Sequence, residues 1–269
     1  MHPRVSLHQV CFIGESNTAF IDICRKIGVR NAVMVSPKLL APDALGGVRS
    51  ILAHGEPRIE ALNHVFATFP DLSSDSGQAS STFLDVIDAA ESLGARSIYL
   101  LTGGRGPLAW EEAADRFAAL VAPGVAAARQ RGIAVLIENA SALYADIHIA
   151  HSLADTIALA ERADTGVCID LFACWAEASL KEHFRRVVPR LELVQVSDYV
   201  LGDRALPARA VPGDGVVPLE RILGDILHTG YEGVFDIELI GPRIEAEGNV
   251  AAATRAAERV SGMLTKLGA

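Results

Sequence analysis

Residues 132–140, Gly132-Ile133-Ala134-Val135-Leu136-Ile137-Glu138-Asn139-Ala140 (GIAVLIENA), form a short apolar run that ends abruptly in a carboxylate and an amide. Bounded by a glycine in front and Asn139-Ala140-Ser141 behind, the run reads as a buried strand whose last side chain, Glu138, is delivered to a rim. Three later runs end in the same way: Asp170 closes GVCID, Gln195 sits near the end of LELVQVSD, and Glu238 closes VFDIEL. Four strand ends thus each bring one oxygen donor. The expectation is that Glu138, Asp170, Gln195 and Glu238 converge on a single divalent metal ion.

Around these runs, strand-like and helix-like stretches alternate from end to end, the pattern of a parallel sheet with crossover helices. Strands are predicted at Val5–Phe12, Asn31–Val35, Ile59–Phe66, Ser97–Leu101, Ala134–Glu138, Val167–Asp170, Leu191–Ser197 and Val234–Glu238. Helical periodicity fits Thr18–Ile27, Asp43–Ala53, Thr82–Leu93, Trp110–Arg131, Leu153–Arg162, Ala176–Val188, Leu219–His228 and Val250–Leu267. Eight such pairs favour one closed (β/α)₈ TIM barrel over an open doubly wound sheet, and 269 residues suit a single domain of that kind. Two connections, Ala67–Ser81 and Leu201–Pro218, exceed the usual βα loop of about 2–6 residues. Both follow strands, so they belong to the C-terminal rim where barrel enzymes place their sites, and the first is a candidate lid.

Alternation along each strand tests the phase of the four donors. Leu136 and Glu138 share a face, as do Cys168 and Asp170, then Leu193, Gln195 and Ser197, then Asp236 and Glu238. In each case this is the face that suits the barrel interior. An unpaired carboxylate there is costly, and three together repel one another. A divalent cation relieves both problems. The plainer alternative is that each carboxylate caps a following helix or pairs with an arginine of its own. An all-oxygen donor set favours a hard ion, Mg²⁺ or Mn²⁺, with Co²⁺ also compatible.

Composition narrows the partners. A formal charge of −9 argues against nucleic acid, whose phosphates require clustered Lys and Arg. No apolar run reaches membrane-span length, and the opening MHPRVSLHQVCF shows no secretory pattern. Cys11, Cys24, Cys168 and Cys174 have no paired spacing, so reduced thiols in a cytoplasmic protein are expected. A small-molecule substrate fits these limits. Homo-oligomerisation is compatible with them as well.

The phrases GIAVLIEN, GVCID, LVQVSD followed by PGDG, and GYEGVFDIEL resemble, in order and spacing, the xylose-isomerase-like barrels known as sugar phosphate isomerases/epimerases. The resemblance covers the chain from about Leu100 onward, and the first half only as barrel pattern. It implies a (β/α)₈ fold, with Glu138, Asp170, Gln195 and Glu238 at the positions that hold a catalytic divalent metal; the third is commonly His and sometimes Gln. Two departures stand out. Many relatives carry a His three residues after the second ligand, where this chain has Ala173, and the second strand often ends in Glu, where NAVMVSPK offers Met34, Val35 and then Lys38. The DNA-repair branch of the superfamily needs a histidine-rich multi-metal site and a basic groove, and this acidic chain shows neither.

The expected chemistry is isomerisation or epimerisation of a small polyhydroxylated carbonyl compound, with Glu138 and Glu238 exchanging protons. The alternative is a lyase that removes water from a cyclic hydroxy-keto acid. Lys38 is a candidate proton donor or a solvated loop lysine. His8 and His64 face either the interior or a satisfied core position, and either could replace the absent His. Arg204, Arg209 and Arg243 are candidate clamps for a substrate carboxylate or phosphate, or surface arginines. His148 and His151 read as surface or capping groups.

Overall fold

The computed structural model describes residues 1–67 and 72–269. Eight parallel strands close into a barrel in sequence order: β1 (Val5–His8), β2 (Asn31–Val35), β3 (Arg58–Val65), β4 (Ser97–Leu101), β5 (Ala134–Glu138), β6 (Gly166–Asp170), β7 (Leu191–Val196) and β8 (Val234–Ile237). Around them lie the helices α1 (Asn17–Ile27), α2 (Ser36–Leu39), α3 (Ala44–Leu52), α4 (Gln78–Leu93), α5 (Trp110–Gln130), α6 (Leu153–Ala163), α7 (Leu171–Cys174), α8 (Leu180–Val187), α9 (Leu219–Leu227), α10 (Pro242–Glu247) and α11 (Asn249–Leu267). The long helices follow the apolar three-and-four spacing. The short α2, α7 and α10 escape periodicity because one turn is too brief to display it.

Two cores result from strand alternation. Val5, Leu7, Val167, Ile169, Val194, Phe235 and Ile237 face the helices, whereas Val33, Ala61, Tyr99, Leu136, Cys168, Leu193 and Val234 fill the interior. The interior cluster plugs the barrel below the donors, so the next residues on the same face emerge at the C-terminal rim. Strand register places Asp170 beside Gln195, and Gln195 beside Asp236. The inward phases expected for β5 to β8 are those observed.

Some boundaries differ for local reasons. β1 stops at His8 rather than Phe12, because the His8 Nδ1 accepts the Val10 N–H at 2.9 Å and starts a 3₁₀ turn over Gln9–Phe12. β8 ends one residue before Glu238. The proposed lid, Ala67–Ser81, includes residues 68–71, which lie outside the described residues. Its described part is anchored: Leu72 is buried and its N–H bonds the Gly104 carbonyl at 2.9 Å, and Asp75 accepts from Gly77 and Ala79 as α4 begins.

The loop after β7 folds around one buried carboxylate. Asp198 accepts four backbone N–H bonds, from Tyr199, Gly213, Gly215 and Val217, at 2.8–3.0 Å. Its own backbone exchanges two bonds with Ala210, at 2.8 and 2.9 Å. The PGDG turn therefore wraps Asp198 while residues 207–211 return across the barrel mouth. Gly215 is required by contact, since a Cβ there would lie 2.2 Å from the Tyr199 carbonyl oxygen. Asp214, at the tip, pairs with Arg255 and Arg259 of α11 and is held down to about 2, chiefly by hydrogen bonding from Arg255.

Because the Asp198→Ala variant strands four buried or half-buried donors, it should lose at least about 3 kcal/mol of stability in urea unfolding, with Asp198→Asn retaining part of it. An unchanged midpoint would show that the loop is held by other contacts.

Candidate functional site

At the C-terminal ends of β5, β6 and β8, Glu138, Asp170 and Glu238 each place a carboxylate oxygen so that all three lie within 4.8 Å of one another. Glu138 and Asp170 are buried, and the Glu238 side chain is 12% exposed. From β7, Gln195 adds a fully buried amide whose Nε2 donates to the Tyr99 hydroxyl at 3.1 Å. Its Oε1 has no hydrogen-bond partner among the described residues.

The backbone behind these donors is fixed by side chains that sequence reading passed over or placed elsewhere. Asn139 brackets the end of β6, accepting the Asp170 N–H at 2.8 Å and donating to the Asp170 carbonyl at 2.9 Å. His148, expected as a surface or capping group, is fully buried. Its Nδ1 accepts the Thr102 N–H at 3.0 Å, which leaves Nε2 to donate to the Glu138 carbonyl at 2.8 Å. A neutral ring suits both bonds, and burial lowers its pKa to about 3. Only Asn139 could have been suspected earlier, from its place directly after Glu138.

Arg209 enters from the returning loop and is buried at 8% exposure. One terminal nitrogen donates to Asp170 Oδ1 and to Ser197 Oγ, both at 3.0 Å; the other donates to Asp170 Oδ2 at 2.9 Å and lies 3.0 Å from Glu238 Oε2. Its guanidinium carbon stands 4.8 Å over the Phe172 ring. Burial alone would lower its pKa, but the Asp170 and Glu238 charges outweigh that and raise it. Asp170 also accepts the Phe172 N–H at 2.9 Å as the cap of α7. The two alternatives weighed from sequence therefore coexist: Asp170 caps a helix and pairs with an arginine, and still belongs to a shared cluster.

One guanidinium does not balance three carboxylates. Glu138 has no hydrogen bond or ion pair to its carboxylate among the described residues, and burial, reinforced by the neighbouring Glu238 and Asp170 charges, pushes its pKa well up. Burial likewise raises Asp170, against the pull of Arg209. Among the described residues the site is short of positive charge, and its donor set and orphaned amide oxygen fit a hard divalent ion.

Above the donors opens a cavity of about 190 Å³. His8, Asn63, Ser141, Tyr144 and Arg209 contribute polar groups together with the carboxylates, while Val10, Leu101, Ile147, Phe172, Leu206 and Ile240 form an apolar wall. A larger cavity of about 460 Å³ lies at the opposite rim near Glu60, Arg96 and Tyr231, where the strands begin. It lacks the carboxylate cluster, which the smaller cavity holds.

His8 reaches the cavity floor with both ring nitrogens engaged, Nδ1 by Val10 and Nε2 by the Tyr99 hydroxyl at 2.5 Å. Burial, with the Arg209 charge, lowers its pKa to about 3. Four other candidates are placed elsewhere. His64 points outward, its Nδ1 2.8 Å from Ser36 Oγ and its ring stacked on Phe83, because its β3 phase is opposite to that of Ala61 and Asn63. Lys38 sits on α2 and donates to the Ile13 carbonyl at 2.7 Å. Arg243 pairs with Asp203 at 3.0 Å with half its side chain exposed, and Arg204 is exposed. None of the four lines the cavity. Beyond a strand end the strand phase no longer applies, so proximity in sequence does not place Lys38, Arg204 or Arg243 at the mouth.

A parallel eight-stranded barrel with a carboxylate cluster at its C-terminal mouth defines the class of protein. Residues 54–261 match the xylose isomerase-like TIM barrel family, and the chain belongs to it. Solved structures of the same fold include the IolI protein with a bound zinc atom (15% identity, 98% of each chain, TM-score 0.83). Two others are D-psicose 3-epimerase with D-tagatose from Clostridium cellulolyticum H10 (16% identity, 96% of this chain and 98% of that one, TM-score 0.78) and the probable 3-DHS dehydratase AsbF from Bacillus anthracis (13%, 96% and 98%, TM-score 0.76). No curated protein matches the sequence. Among the described residues, no helix is long and apolar enough to cross a membrane.

Replacing Arg209 with Met leaves Asp170 and Glu238 buried without their shared cation. The metal-free variant should unfold about 3–5 kcal/mol more easily than the wild type in urea at neutral pH. Equal stability would mean that the carboxylates are protonated and need no counter-charge.

Proposed function

We propose that this chain is a divalent-metal-dependent isomerase or epimerase of a small polyhydroxylated carbonyl compound, with Glu138, Asp170, Gln195 and Glu238 holding the ion. The observation that carries this reading is the gathering of three carboxylates within 4.8 Å beside a buried amide oxygen that has no partner among the described residues. All four donors are hard oxygens, which favours Mn²⁺ or Mg²⁺, with Co²⁺ compatible. The zinc of the IolI neighbour supports a divalent ion in this fold.

When bound, the ion supplies a fixed positive charge that orients a carbonyl and a neighbouring hydroxyl and makes the C–H between them acidic. Glu138 comes from β5 and Glu238 from the end of β8, so the two carboxylates approach the mouth from different sides. One removes the proton and the other returns it to the opposite face. Arg209, between Asp170 and Glu238, steadies their charge and offers its fork to an anionic substrate oxygen. The apolar wall keeps bulk water from the carbanionic centre.

A second reading has a specific support. The apolar wall and Arg209 suit a ring bearing a carboxylate, as in dehydration of a cyclic hydroxy-keto acid, and the AsbF neighbour is a probable dehydratase. Ala173 counts against it, since the histidine found there in relatives would serve as its acid.

Dialysis against EDTA should abolish turnover and Mn²⁺ or Mg²⁺ should restore it; full activity in excess chelator would remove the proposal. In deuterated water the isomerase takes up deuterium at unchanged composition, whereas the lyase loses water and gains ultraviolet absorbance. Glu138→Gln and Glu238→Gln should each lower the rate of label uptake by about 10²–10⁴-fold. A variant exchanging at the wild-type rate would clear that carboxylate of proton transfer.

A further inference from the structure

We infer that Tyr99, which lies beneath the carboxylates and outside their ligand set, is a positioning residue that allows Gln195 to turn its oxygen toward the cation. The inference rests on the proposed role of Gln195 as a metal-holding side chain.

An amide differs from a carboxylate in having a wrong way round. Glu138, Asp170 and Glu238 each present two equivalent oxygens, but half a turn of the Gln195 amide replaces its oxygen with an NH₂ that cannot coordinate. Beside three carboxylates in an empty site, the NH₂-forward orientation is electrostatically comfortable. Coordination demands the reverse, and it sends the NH₂ group into the barrel interior. That interior holds the apolar plug of Val33, Ala61, Leu136, Cys168 and Leu193, with the buried Asp236 beside Gln195 in register but not hydrogen-bonded to it, and an amide donor without an acceptor there is costly.

Tyr99 is the residue of that plug that meets the amide. Its ring is 1% exposed and its hydroxyl accepts from Gln195 Nε2 at 3.1 Å, the orientation that leaves Oε1 facing away and without a partner. The hydroxyl is itself held in place. Because the Val10 N–H occupies His8 Nδ1 at 2.9 Å, the neutral ring carries its proton on Nε2 and donates it to the Tyr99 oxygen at 2.5 Å. A line of bonds thus runs from the backbone after β1, through His8 and Tyr99, to the amide on β7. A hydroxyl both donates and accepts, so it also tolerates the flipped amide. Phenylalanine offers neither, and it leaves the NH₂ of the coordinating orientation without the acceptor it has in the structure.

The test is a two-by-two set of chelator-treated apoproteins titrated with Co²⁺ by calorimetry, with the visible Co²⁺ absorption as a second readout: wild type, Tyr99→Phe, Gln195→Glu and the double variant. Glutamate at 195 has no wrong orientation. Removing the Tyr99 hydroxyl should weaken Co²⁺ binding about 10–100-fold when residue 195 is Gln, and by less than about threefold when it is Glu. Equal weakening in both backgrounds, or none when residue 195 is Gln, overturns the positioning role. Absence of saturable Co²⁺ binding by the wild type removes the metal centre itself, a separate failure. Should Tyr99→Phe not fold, side-chain amide NMR of the wild type decides: the Gln195 NH₂ pair, identified by its loss in Gln195→Glu, must shift on loading with Zn²⁺, and an unmoved pair overturns the inference.

Discussion

Negative charge crowded into one barrel mouth is the constraint on which the rest of this structure depends. Glu138, Asp170 and Glu238 bring their oxygens within 4.8 Å of one another in a largely buried setting. Coulomb repulsion at that range is severe wherever water is excluded. Arg209 answers part of it, bonding both oxygens of Asp170 and lying 3.0 Å from Glu238. Glu138 has no ion pair among the described residues. The arrangement is stable only if a proton or a further cation supplies the missing charge, and its oxygen donors are those a hard divalent ion prefers.

Much of the surrounding chain serves to hold these groups against their mutual repulsion. Asn139 clasps the end of β6, His148 secures the carbonyl of Glu138, and Asp198 gathers four N–H groups so that residues 207–211 run back over the mouth. Arg209 can reach Asp170 only because that loop returns. A Cβ at Gly241 would lie 2.7 Å from the Pro207 carbonyl oxygen, so the β8 loop must also leave room for it. Buried polar groups placed by several bonds each are costly to move, which is how a loop-borne arginine acquires the precision of a strand-borne carboxylate.

How far the site was legible in the sequence followed the regularity of the backbone. On β5 to β8 the period-two phase assigns Glu138, Asp170, Gln195 and Glu238 to the interior; the three carboxylates lie within 4.8 Å of one another, and Gln195 stands beside Asp170 in register. The same rule, left open for β3, permitted His64 to face inward, whereas it packs against Phe83 on the outside. Lys38, Arg204 and Arg243 stand near strand ends in the sequence, but short helices and loops past those ends do not continue the strand phase, and each turns to a local partner or to solvent. Tyr99 drew no notice because a tyrosine in an apolar strand resembles core. Its polar end matters only once β4 stands across the interior from β7.

The sequence by itself determined the barrel and the phase of its four donors, because alternation along strands and apolar spacing along helices are local properties repeated eight times. It also set the excess of carboxylates over cations at the rim. Only the tertiary structure decided which cation answers them and which oxygen is left open. The Arg209 contact with Asp170 spans 39 positions and the Tyr99 contact with Gln195 spans 96. Such pairings depend on closure of the barrel and the return of a loop, and no periodicity along the chain encodes them.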